Sequence, residues 1–70
     1  MKSYTAIIEK DLETGMLIGY IPNIVGAHSQ GETIEELQEN LKEVLELLAE
    51  DGALEETSKF IGIQNIDIAA

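Results

Sequence analysis

The sequence predicts an α+β domain: a mostly antiparallel sheet of three to four strands with one amphipathic helix on one face, in the order β-β-β-α-β. Three observations lead there. Two runs rich in β-branched and aromatic residues flank an acidic turn that ends in Gly15. From Ile34 to Glu50 the apolar residues recur at helical spacing. Isoleucines then return between Lys59 and Ile68 in a second strand-like pattern. Seventy residues without internal repeats, low-complexity tracts or dividing linkers make a single domain, 1–70.

The first strand is read in Ser3 to Glu9, where Tyr4, Thr5, Ile7 and Ile8 favour extended backbone. Asp11 to Gly15 forms the turn, with Gly15 in the left-handed region, and Met16 to Ile21 returns as the second strand of an antiparallel hairpin. Both faces of this pair are apolar. Tyr4, Ala6 and Ile8 oppose Ile7, and Met16, Ile18 and Tyr20 oppose Leu17 and Ile21. One helix covers one face, so the other is a candidate contact surface for another chain.

Pro22 lacks a backbone donor and ends or edges the second strand. Gly26 and Gly31 are read as turn glycines that permit positive φ. Ala27 to Gln30 is a short third strand. Thr33, followed three residues later by Glu36, is a capping box that opens the helix. Along that helix Ile34, Leu37, Leu41, Val44, Leu45 and Leu48 share a stripe about 100° wide, and Gly52 is a stop. In the final pattern Ile61 and Ile63 have one parity and Phe60, Ile66 and Ile68 the other. That switch calls for a β-bulge near Gln64 and Asn65, or for a strand apolar on both sides.

The order and spacing of Tyr4, the Gly15 hairpin, Pro22-Asn23-Ile24, Gly26, Gly31-Glu32-Thr33 and Glu36, followed by an acidic helix, resemble the HicB-like antitoxin family from about Tyr4 to Asp51. The resemblance implies a partial, degenerate RNase H-like fold. It also implies a partner: a small basic HicA-like toxin of double-stranded-RNA-binding type that cleaves mRNA with a histidine, masked by the antitoxin in a type II toxin-antitoxin pair. Many members continue into a helix-turn-helix or ribbon-helix-helix segment after the last strand. This chain stops at Ala70, so it is expected to be a short form without DNA binding of its own.

Charge points the same way. Fourteen acidic residues against four lysines give a net charge of −10. A nucleic-acid binder needs a basic footprint, so direct binding is not expected, and a basic protein is the better electrostatic match. The candidate partner-binding residues are Glu35, Glu39, Glu43, Glu46 and Glu50 on the outer helix face, with Leu47 at its boundary. Like charges at i,i+4 each cost a few tenths of a kcal/mol, which a basic partner would offset. Glu32, Glu35 and Glu36 also complement the positive end of the helix dipole.

The inventory for catalysis is short. His28 is the sole histidine, beside Ser29 in the short segment before the helix with no carboxylate placed to orient it, and there is no cysteine. Glu9, Asp11 and Glu13 cluster in a hairpin loop and Asp67 stands alone, whereas a two-metal nuclease needs carboxylates converging from several elements. No catalytic, cofactor or metal site is expected, and the protein is not read as an enzyme. No stretch is long and apolar enough to span a membrane, and no signal peptide opens the chain, so a cytoplasmic protein is expected. A domain this small buries only about 60 % of its unfolded surface, so self-association as a dimer or tetramer is expected to add stability. The alternative function is a stand-alone self-associating HicB-like module with an unknown ligand or partner.

Overall fold

In the computed structural model, which describes residues 2–69, strands β1 (Ile7–Lys10), β2 (Leu17–Tyr20) and β3 (His28–Gly31) form one antiparallel sheet in the order β1-β2-β3. The helix α1 (Ile34–Glu50) lies over β2 and β3. The expected α+β class is therefore present, with a three-stranded sheet and one helix.

Turn chemistry sets the hairpin between β1 and β2. The Asp11 N–H donates to the Met16 carbonyl and the Gly15 N–H to the Asp11 carbonyl, both at 2.8 Å, with Gly15 at φ +75°. The Asp11 carboxylate accepts from the Thr14 N–H at 3.0 Å and from the Thr14 hydroxyl at 2.6 Å. These bonds favour the ionised form and hold the Asp11 carboxyl below its usual range, the hydroxyl contributing most. A depressed folded-state pKa gives stability that is present above the ordinary value near 4 and is lost as pH falls through the folded value. Asp11→Asn should therefore unfold at lower urea than the parent at neutral pH, with the gap closing in acid. A gap independent of pH would exclude the charge as its source.

Register fixes the faces. Ile8 pairs with Gly19 and Gly19 with Ser29, and this row is on the helix side of the sheet, with Gly19 against Leu37 and Leu41. The rows Ile7, Tyr20, His28 and Glu9, Ile18, Gln30 point to the other side, which no element among the described residues covers. Between β2 and β3 the chain turns through Pro22 and Gly26. The Ile21 N–H donates to the Ala27 carbonyl at 2.9 Å, and Gly26 has φ +83°. This turn supplies the core cluster: Ile21, Ile24 and Ala27 are buried against Tyr4, Ala6, Leu45, Leu48 and Leu54.

Thr33 caps the helix, its hydroxyl accepting from the Glu36 N–H at 3.1 Å. That is the hydroxyl half of the expected capping box, worth about 1 kcal/mol. At the other end Gly52, φ +67°, donates to Ala49 and Ala53 donates to Leu48, at 3.1 and 2.7 Å. This pairing is a Schellman stop, and it satisfies carbonyls the last turn leaves free. Leu37 and Leu41 are the fully seated members of the apolar stripe.

Three expectations are corrected. Residues 3–6 precede β1 without strand pairing. Gly31 is not a positive-φ glycine; its reason is close approach, because a Cβ there would stand 2.7 Å from the Leu37 nitrogen. The last strand, between Lys59 and Ile68, does not form, so the order is β-β-β-α and there is no ladder for a bulge at Gln64 and Asn65 to interrupt. A strand exists only where a neighbour takes its backbone hydrogen bonds, and this segment has none. Its last anchors are an isolated bridge between Ile24 and Glu56 and the Thr57 N–H donating to the Asn23 carbonyl at 3.0 Å.

Candidate functional site

The acidic face of α1 is built by periodicity alone. With Leu37 and Leu41 turned to the sheet, positions 35, 36, 39, 43, 46 and 50 point the opposite way, and all six are exposed glutamates. Glu35 and Glu50 are about 22 Å apart along the axis at the helical rise. The structure thus gathers Glu35, Glu39, Glu43, Glu46 and Glu50 into one surface. Leu47, 54 % exposed, borders it on the flank shared with Asn40. Asn40 ties that flank to β3, its side-chain amide donating to the Gln30 carbonyl at 2.8 Å. A helix can afford this display because Glu35 and Glu36 sit in its first turn, where the dipole favours them, although no basic residue balances the last turn.

On the opposite flank lies a feature that sequence reasoning missed. Because α1 lies over β2 and β3 and not over β1, a groove of about 660 Å³ opens between the helix and the first strand. Ile8 of β1 lines one side with Tyr4 and Ala6 from the segment before it, Leu37, Leu41 and Leu45 line the helix side, and Leu54 contributes from beyond the helix. Lys2 and Lys42 stand at it, and the Lys2 ammonium lies 5.6 Å from the Tyr4 ring centroid, within cation-π range. Glu46 is the one residue shared by the groove and the acidic face. The signal for the groove was the alternation Tyr4, Ala6, Ile8, an apolar row with no second helix to cover it.

The carboxylates weighed for metal chemistry stay apart: Glu9 is on β1, Asp11 and Glu13 are in the hairpin loop, and Asp67 is beyond the helix. Among the described residues no group of three or more His, Cys, Asp or Glu is placed to hold a metal ion. His28 is exposed on β3, on the uncovered side of the sheet. No helix among the described residues is long and apolar enough to cross a membrane.

Fold and surface together define a small α+β domain with a three-stranded sheet, a helix displaying glutamates on its outer face and an apolar groove beside it. The chain is 48 % identical over 65 residues to a UPF0150 protein of Synechocystis, covering 93 % of each. It is 40 % identical over 68 residues to a UPF0150 protein of Thermotoga maritima, covering 96 % of this chain and 91 % of that one. A UPF0150 protein of Archaeoglobus fulgidus is 35 % identical over 65 residues, with 93 % of each covered. The chain belongs to the UPF0150 family. No family model matches it, and no solved structure does.

Proposed function

We propose that this UPF0150 protein acts by binding and not by catalysis, as a HicB-like antitoxin that neutralises a small basic HicA-like mRNA-cleaving toxin in the cytoplasm. The observation that carries this reading is the outer face of α1: six exposed glutamates in one row, on a chain of net charge −10. A toxin that grips RNA does so through lysines and arginines on phosphate, and a row of carboxylates competes for those same groups. The contact surface assigned to it is Glu35, Glu39, Glu43, Glu46 and Glu50 with Leu47 as its apolar margin. Nucleic acid is excluded from the same surface by its sign.

The test is capture of partners by the tagged chain at moderate and high salt, followed by an RNA-cleavage assay of any small basic protein recovered. The expected result is cleavage suppressed by the parent chain, with capture falling as salt rises. Glu39→Lys with Glu43→Lys should weaken suppression by tenfold or more while leaving the fold intact, since both positions face water. Recovery of the chain alone, or suppression indifferent to both substitutions, would remove the acidic face from the account. The stand-alone self-associating reading gains from a different observation, the apolar groove and the uncovered segment beyond the helix.

A further inference from the structure

The segment 58–69 is the most water-exposed apolar stretch among the described residues. Ile61, Ile63, Ile66 and Ile68 are between 77 and 92 % exposed. Its composition is that of a strand, yet no strand adjoins it. The cost appears in the dimensions of the chain. Its radius of gyration is 13.8 Å, where a compact chain of this length has about 11 Å. Its accessible surface is 5802 Å², where a folded monomer of this mass has about 4,300 Å².

The same chain carries the complement. β1 is an edge strand with no helix over it, and the apolar groove runs beside it. The other edge, β3, lies under α1 and is tied to it by the Asn40 to Gln30 hydrogen bond. An open edge next to an apolar groove accepts one thing best, an extended segment bearing aliphatic side chains.

We propose that residues 58–69 of one copy add as a strand to β1 of a second copy, the isoleucines of one face filling its groove, in a reciprocal two-fold dimer. Three observations select a second copy as the occupant. Arm and groove occur in equal number on one chain, so a two-fold exchange covers both and leaves neither open. The excess of exposed surface, about 1,500 Å² per chain, is enough to supply a standard interface of about 1,600 Å² in total from two chains. Charge permits the approach here: residues 58–69 hold one lysine and one aspartate in a chain of net −10, Lys2 and Lys42 stand at the groove against Glu46, and the other glutamates of the helix row face away. Two acidic molecules can meet on this side without opposing their helices. The proposal does not depend on the toxin reading, because the groove shares only Glu46 with the acidic face.

Sedimentation of the full chain across the micromolar range should return twice the monomer mass. Ile63→Asp with Ile66→Asp places one charge on each face of the arm, so that one enters the groove whichever face docks, and should weaken the dimer about 100-fold, with the helical circular dichroism unchanged because the arm lies outside the folded body. Ile8→Asp, on the groove side of β1, should do the same. The decisive measurement is the mixture: an equimolar blend of the arm variant and the Ile8→Asp variant holds one intact arm and one intact groove, and a heterodimer should reappear. A monomeric parent chain, with or without hydrogen-exchange protection of residues 58–69, overturns the proposal. So does a dimer that survives both variants, or a mixture that fails to recover mass.

Discussion

Leu37→Ala is expected to lower the unfolding free energy by about 3 kcal/mol. Leu37 has no exposed surface, and its two methyls stand 3.1 and 3.2 Å from where a Cβ on Gly19 would lie, so the side chain fills the contact between α1 and the middle strand. Truncation removes the transfer energy of the lost carbons and leaves a void whose walls are a helix and a sheet, neither of which collapses freely. Only Ile21, Ile24, Ala27, Leu37 and Leu41 are buried apolar residues among those described. With roughly 0.05 to 0.15 kcal/mol of stability per residue, a 70-residue chain has about 4 to 10 kcal/mol in all. The variant should therefore unfold at markedly lower urea, with the slope of the transition unchanged. If two copies exchange arms, its midpoint should also rise with protein concentration, since association stabilises only the folded form. A loss below about 1 kcal/mol would mean that α1 is not seated on β2 through this residue.

What the sequence revealed and what it concealed divide along the range of the interactions. The helix was legible from Thr33 to Gly52 because its cap, its stripe and its stop are all local, and the structure forms each within a few residues of where it is encoded. The glutamate row was legible for the same reason, being fixed once the apolar stripe is known. The final strand was not, because strand propensity in Phe60 to Ile68 says that the segment suits a sheet without saying which edge will take it. The groove escaped notice because it depends on where α1 sits across the sheet, over β2 and β3 and clear of β1. That placement rests on the two glycines beneath the helix, Gly19 and Gly31, and Gly31 serves it by close approach and not by a positive φ.

Gly31→Ala is accordingly the substitution expected to disturb the fold most per atom added. A methyl at this position would lie 2.7 Å from the Leu37 nitrogen, 3.0 Å from its Cα and 3.1 Å from the Glu36 carbonyl carbon. All three are backbone atoms of the first helical turn, so no rotamer change relieves the clash and α1 must lift from β3. Lifting it pulls Leu37 out of the core and strains the cap, where the Leu37 N–H donates to the Thr33 carbonyl at 2.9 Å. The expected loss is about 3 kcal/mol, the upper end for overpacking. Gly19→Ala separates the causes. Its methyl would meet the Leu41 and Leu37 side-chain tips at 2.9 to 3.2 Å, which can swing aside, so its loss should be smaller, about 1 to 2 kcal/mol. Gly26→Ala supplies the other contrast, meeting nothing within 4 Å but sitting at φ +83°, and should cost about 1 kcal/mol through backbone strain alone. Urea unfolding of the three variants orders the explanations. Gly31 as the costliest means that the helix is aimed by backbone contact at the end of β3, whereas Gly26 as the costliest would return the design of this domain to its turns.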